Sequence, residues 1–469
     1  MKKRIEKDSL GERELPKAVY YGIQTSRAVD NFPISGLRSH PELIRAIGLV
    51  KRAAAETNML LGELDQNIGA AIVQAAEEVS QGRWNDQFVV DVFQAGAGTS
   101  FNMNANEVIA NRALEILGVV RGDYSSIHPN DHVNRGQSTN DVYPSCLRLA
   151  AVVLTQELIA ELDSMIAVLE LKAEQFCDVV KPGRTHLQDA VPIRLGQEFA
   201  GYALAIRHGV ERLQGAQTSL ERLGLGGTAV GTGFSDHPRF HSMVVNRIRE
   251  LSNADLRSAS SLIESIQSMD DFAETSSALK LLALDLIRMA NDLRLMSSGP
   301  NTGLREINLP AVQPGSSIMP GKVNPVMAEM LNMVCFQVIG NDSAIAIACQ
   351  AGQFEINVMT PVIAFNLLQS LDIMDNGIKA FKEKCLVGIT ANEEHCRYLA
   401  ERSLGLATVL SRCIGYDETA EIAKESLATG RSVKDIAVDR GVLSKKLADE
   451  LFDPANLTKP FVISCKPEE

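Results

Sequence analysis

Four irregular stretches concentrate the side chains that could do chemistry. The richest is GSSIMPGKVNP, residues 315–325, with paired hydroxyls at Ser316 and Ser317, the cation of Lys322 and an Asn324-Pro325 pair. Asn is a favoured N-cap and Pro suits the first helical position, so a helix is expected to start here and run on through VMAEMLNMVCFQVIG. Its positive end then faces back into a loop that carries hydroxyls, a lysine and backbone N–H groups, which is the make-up of an anion site. Gly315 and Gly321 let the backbone curl, and both read as hinges. Three further stretches share this character. GAGTSFNMNANEV (96–108) presents Thr99 and Ser100 after glycines. GQSTNDVYP (136–144) presents Ser138, Thr139 and Asn140 ahead of a long helix expected from Leu147, and GRTHLQDA (183–190) presents Arg184, Thr185 and His186 between two helices. Singly, each of these suits a cap or a turn. Together, with hardly an aromatic residue nearby, they suit a small, polar, anionic substrate.

The elements that must position these stretches are mostly helical. Residues 1–40 are broken by Pro and Gly and read as loop and short strand. Helical periodicity starts at PELIRAIGLVKRAAAETNMLL, continues through AAIVQAAEEVSQG with Gly82 as a stop, and returns around residues 106–117. In SALKLLALDLIRMANDLRLM the polar Lys280, Asp285, Arg288 and Asp292 form one narrow stripe, so most of the circumference must be buried. Read as a single helix over 261–298, this segment would span roughly 55 Å at about 1.5 Å per residue. Gly299-Pro300 would end it. So apolar a rod needs neighbours on several sides, and a bundle shared between subunits is expected. The fold class is therefore mainly α in three domains. These are a mixed, mostly helical 1–140, a long-helix bundle over 141–390, and a small helical 391–469 whose short patterns are separated by LATGRS, DRGVLS and FDPANLT.

Composition excludes several classes. Forty-six basic against 58 acidic residues give a formal charge of −12, which argues against nucleic acid and anionic membrane as partners. No run of eighteen uncharged apolar residues occurs, so no membrane span is expected. The charged start MKKRIEKDSLGERELP lacks the apolar run of a signal peptide. Eight scattered cysteines without C-x-x-C spacing read as reduced thiols of a cytoplasmic protein.

The set GTSFNMNANEV, QSTND, GRTHLQDA and GSSIMPGKVNP resembles the aspartase/fumarase superfamily, and the likeness runs from YYGIQTSRAVDNF to DPANLT. AGAGTS and QSTND are similar to the aspartase branch, whereas HPNDH (128–132) resembles a second anion site of the fumarase branch. The resemblance implies reversible elimination of ammonia from L-aspartate to fumarate, with no cofactor and no metal required. By resemblance, Ser316 is the base; the residues alone do not choose it over Ser317. Also by resemblance, Ser317, Thr99, Ser138 and Thr139 donate to the β-carboxylate, while Lys322, Asn324 and Thr185 clamp the α-carboxylate. Met319 joins the substrate-binding set. Asn140 and His186 lie by the amino group, with His186 paired to Glu329. A homotetramer whose sites combine three subunits is implied too. The alternatives are a fumarase, a lyase for bulkier amines, a non-catalytic protein on the same scaffold and a dinucleotide-dependent oxidoreductase.

GLGGTAVGTG (224–233) loosely fits a dinucleotide fingerprint, but a helical pattern precedes it and a tight interhelical connection is expected instead. His237 and His241 have i, i+4 spacing interrupted by Pro238 and are not expected to bind metal. Cys335 and Cys349 read as core, and Trp84 as a packing anchor.

Overall fold

Helix Pro41–Leu61 forms where periodicity places it, because both ends carry the right chemistry. His40 Nδ1 accepts from the Glu42 N–H, Pro41 takes the first position, and Gly62 closes the end at φ 76°. The computed structural model describes residues 2–94, 96–234 and 237–460. Helices dominate it. Strands occur as short two-stranded pairs, the larger being the antiparallel hairpins Lys3–Asp8 with Gly11–Pro16 and Val180–Thr185 with Gln188–Arg194. Trp84 anchors as expected, its ring 4.3 Å from that of Tyr20 and its N–H donated to Glu78.

Five long helices, Thr139–Gln175, Leu195–Leu220, Asp270–Met296, Val326–Gln350 and Thr360–Lys384, carry the middle of the chain. Three sequence expectations change here. The helix expected from Leu147 starts at Thr139 and carries Pro144 in its second turn, where the absent N–H leaves the Asn140 carbonyl without its helical donor. The rod expected over 261–298 is two helices, Leu262–Gln267 and Asp270–Met296, separated by Ser268 in extended backbone. Ser268 donates its hydroxyl to Asp270, and Asp270 and Asp271 sit in the first turn of the second helix, where carboxylates favour a new start. Residues 183–190 lie between two helices as expected, Thr139–Gln175 and Leu195–Leu220, but are not irregular: they belong to a β-hairpin whose turn is His186-Leu187.

Helix Val326–Gln350 is long and apolar enough to cross a membrane by length and composition alone, with Glu329 and Asp342 interrupting its apolar run, and 39% of that window is buried. Its outward face carries Met333, Phe336 and Ile347, each more than half exposed. Cys335 is buried and Cys349 partly so, as expected of core positions. The all-thiol reading fails at Cys413, which is disulfide-bonded; Cys146, Cys177, Cys335, Cys349, Cys385 and Cys396 are free, and Cys465 lies outside the described residues.

The chain divides into two compact units. One comprises Met1–Ala160, Gly209–Ala283 and Val334–Asp375; the other comprises Glu161–His208, Leu284–Met333 and Asn376–Glu469. The segments expected as first and last domains each fall whole within one unit, while the middle helices divide between the two. Within the second unit the C-terminal helices have their own core around Leu410, Ile422, Ile436 and Ala448.

Candidate active site

In the first unit, two of the chemistry-bearing stretches become helix starts. Gly96–Gly98 makes a tight turn into helix Thr99–Ile116, and the Thr99 hydroxyl donates back to the Gly96 carbonyl at 2.6 Å. Gly98 is required there twice over: its φ is 93°, and a Cβ would collide with the Tyr143 ring. Thr139 is the first residue of helix Thr139–Gln175, so Ser138, Thr139 and Asn140 stand at the positive end of 37 aligned peptides. The Asn140 N–H donates to Ser138 Oγ at 3.3 Å, and Asn140 Nδ2 donates to the Ala229 carbonyl at 2.8 Å. Ser138 and Asn140 are half-buried, Thr139 buried.

Asp141 holds this helix start in place, a role that the sequence reading missed. Its Oδ1 accepts from the Ser138 N–H, and its Oδ2 accepts from the N–H groups of Gly226 and Thr228, all at 2.9 Å. Burial pushes the carboxyl up to about 7, against the pull of those three donors and of Lys51. The glycine-rich 224–233 stretch is thus a backbone cradle for Asp141, an interhelical connection as expected. The sequence signal was the last letter of QSTND itself, an acid following a run of caps. Nearby, His241 Nδ1 lies 2.5 Å from the Leu225 carbonyl. The HPNDH stretch forms a π-turn in which the His128 N–H donates to His132 Nδ1.

In the second unit, Thr185 ends strand Val180–Thr185, and His186 and Leu187 form the two-residue hairpin turn with φ of 55° and 60°. Such turns favour Asn and Gly, so a histidine and a leucine there hold left-handed backbone at a cost of about 1 kcal/mol each. Behind the tip, fully buried Glu306 accepts from Arg184 at 2.7 Å and faces Lys181 at 3.1 Å. Lys181 also donates to Glu198.

The 315–325 loop closes on itself. The Gly315 N–H donates to the Lys322 carbonyl at 2.7 Å, and Asn324 Nδ2 donates to the Gly315 carbonyl at 2.9 Å. Two expectations change as a result. Asn324 ties the loop instead of capping the helix, which starts at Val326. Gly315 is a fixed seam, not a hinge: a Cβ there would lie 2.6 Å from the Lys322 carbonyl oxygen and 2.9 Å from the Asn324 nitrogen. Gly321, at φ 79° with open space around it, keeps its freedom. Within the loop, Ser316 Oγ accepts from the N–H groups of Ile318 and Met319 at 3.2 and 3.0 Å. Ser316 is half-buried, while Ser317, Met319 and Lys322 are exposed. Lys322, Asn324 and Glu329 border a cleft of about 820 Å³ that Arg294, Arg305 and Asn308 also line. The Glu329 carboxylate faces Arg294 at 3.9 Å.

The predicted residues are therefore divided between the units, with Thr99, Ser138, Thr139 and Asn140 in one and Thr185, His186, Ser316, Ser317, Met319, Lys322, Asn324 and Glu329 in the other. Both groups offer hydrogen-bond donors suited to carboxylates, and the second adds the cation of Lys322. Comparison with known proteins fits this chemistry. Residues 11–340 match the family described as Lyase, and residues 406–459 match the Fumarase C C-terminus. The chain is 51% identical to an aspartate ammonia-lyase of a Bacillus species over 463 residues, 99% of each chain. It is 48% identical to the class II fumarate hydratase of Halobacterium salinarum over 462 residues, 98% of each. Among solved structures, the fumarate lyase:delta crystallin from Brucella melitensis bound to cobalt superposes with a TM-score of 0.95 at 47% identity, covering 98% of this chain and 100% of that one. The chain belongs to the lyase family of the aspartase/fumarase superfamily.

Proposed function

We propose that this chain is an aspartate ammonia-lyase that reversibly eliminates ammonia from L-aspartate to give fumarate. Ser316, as its alkoxide, takes the proton from the carbon beside the β-carboxylate. The electron pair moves into that carboxylate as an aci form, then returns to make the double bond while the C–N bond breaks and ammonia leaves with its pair. The observation that carries this reading is the pair of N–H groups aimed at Ser316 Oγ. A hydroxyl is a poor base until its charge is stabilised, and preorganised N–H donors do that at no cost of reorganisation. Thr99, Ser138, Thr139 and Ser317 then donate to the β-carboxylate, where one well-placed donor is worth about 3–4 kcal/mol in the transition state. Lys322, Asn324 and Thr185 hold the α-carboxylate, and Met319 lies against the substrate. Asn140 and His186 attend the amino group.

His186 pairs with Glu329, whose carboxylate faces Arg294 at 3.9 Å within the chain. The apolar residues exposed on Val326–Gln350 support a homotetramer assembled along the long helices. Residence in the cytoplasm fits the six free cysteines. Malate/fumarate chemistry is the second reading, supported by the likeness to the fumarate hydratase. The deciding experiment follows fumarate by ultraviolet absorbance from purified protein with L-aspartate in one cuvette and L-malate in another. Fumarate from aspartate alone is expected; fumarate from malate alone would replace the ammonia-lyase with a hydro-lyase.

A further inference from the structure

Behind the start of helix Thr139–Gln175 lies a buried polar relay that the reaction itself does not explain. Lys51, fully buried, donates through Nζ to Asn134 Oδ1 at 2.8 Å and to Gln137 Oε1 at 3.0 Å. The nitrogen of each of these amides is already engaged by backbone carbonyls. Asn134 Nδ2 donates to Gln137 O at 3.0 Å, and Gln137 Nε2 donates to Val133 O and Arg135 O, each at 3.1 Å. Both oxygens must therefore face the lysine, so the connectivity fixes which way each amide points. Asn134 Oδ1 in turn demands donors on its other side, and Asn102 Nδ2 and Asn106 Nδ2 meet it at 3.2 Å. With its nitrogen so placed, Asn102 also donates to Thr139 Oγ1 at 3.0 Å. A hydroxyl that accepts from an amide keeps its own proton for another partner.

We propose that Asn102, its amide orientation set by Asn134 and Lys51, is a positioning residue that commits the Thr139 hydroxyl to donate to the substrate carboxylate. The inference rests on the reading of Thr139 as a carboxylate donor. Without Asn102, the hydroxyl is free to turn inward towards Asn134, and the site must reorient it at each turnover. With Asn102 in place the donor is aimed before substrate arrives, the condition under which such donors contribute most.

A double-mutant cycle tests this. The kcat/KM for fumarate formation is measured for wild type, Thr139→Val, Asn102→Asp and the double variant. Asn102→Asp keeps the shape but can only accept, so it draws the Thr139 proton away from substrate. Each single variant is expected to lose about 100-fold, the effect of one oxyanion donor. The double variant is expected within about 3-fold of Thr139→Val, because residues acting through one hydroxyl do not add. Losses that multiply would mean that Asn102 acts independently of Thr139 and would overturn the inference alone. Wild-type kcat/KM in Thr139→Val would overturn the carboxylate reading of Thr139 and the inference with it. If Asn102→Asp does not fold, Asn102→Ala completes the same cycle, with an expected single loss of about 10-fold.

Discussion

The two groups of site residues are built on opposite principles. Around Thr139, the start of a 37-residue helix is fixed from behind by Asp141, which holds backbone N–H groups, and by the bonded chain Lys51–Asn134–Asn102, all buried or half-buried. Around Ser316, an exposed loop is tied at one seam, between Gly315, Lys322 and Asn324, and otherwise faces solvent: Ile318 is 82% exposed. Donors to a carboxylate that is present throughout the reaction gain from rigidity. A base that must meet its substrate and exclude water gains from a loop that can settle over it. On the proposed reading, the donors around Thr139 and the base on the exposed loop therefore stand on different elements.

Removing the base is the strongest test of that division. Ser316→Ala should lower turnover by at least about 10³-fold, the upper part of the range for a positioned base. Circular dichroism and sedimentation should stay as in wild type, because the side chain is half-buried in a loop and supports no core. A variant retaining more than a few per cent of turnover would remove Ser316 from the role and leave the loop as a binding element only.

The seam is the next place to press. Gly315→Ala puts a Cβ against the Lys322 carbonyl and the Asn324 nitrogen, forcing the loop open where Ser316 begins. A displacement of that kind should cost about 10- to 100-fold in kcat/KM. Gly321→Ala has free space and should impose only about 1 kcal/mol of left-handed backbone strain, with a correspondingly small kinetic loss. Melting temperatures of both should stay near wild type. Equal kinetic losses in the two variants would show that the loop has no privileged seam.

What the sequence revealed and what it hid follow the same contrast. The loop residues Ser316, Lys322 and Asn324 were legible because their side chains interrupt apolar periodicity and face outward. The rigid group was half legible. Three of its members, Ser138, Thr139 and Asn140, announced themselves as caps. Its supporting residues lie on buried helical faces where a polar letter looks like noise: Lys51 within AIGLVKRAAA, Asn102 and Asn106 within NMNAN. A lysine at a position whose i−4 and i+3 neighbours, Ile47 and Ala54, are core was the available signal, since such a charge persists only when it is bonded. The stretch at His186 was read only as an irregular segment between two helices, and its hairpin was missed because a turn of His and Leu lacks the Asn-Gly signature. The split at Ser268 was hidden because apolar periodicity survives a break of two residues.

Lys51 also gives the rigid group a pH signature, the smallest effect predicted. Burial holds its ammonium down to about 7, with Cys146 and Asp141 pulling the other way. The unfolded chain keeps this lysine protonated up to about 10.4, so between these values the unfolded state binds more protons. Stability from this group is therefore present above the unfolded value and lost as pH falls towards 7. Asp141 and Glu107, both pushed up to about 7 by burial, act with the opposite slope, but their effect ends near that pH. The Cys146, Cys335, Cys349, Cys385 and Cys396 thiols, all raised by burial, oppose this slope as pH nears their ordinary value of 9.0. From pH 7 to 8, at fixed protein concentration, urea unfolding should show stability rising by up to about 1.4 kcal/mol per pH unit. Lys51→Met should flatten that slope while lowering stability overall, because Gln137 Oε1 loses its donor and Asn134 Oδ1 loses one of three. A slope unchanged in Lys51→Met would mean that the lysine stays charged in the fold. The relay behind Thr139 would then be held by an ion and not by a neutral amine, a distinction that the exposed loop, with no comparably buried cation, does not need to make.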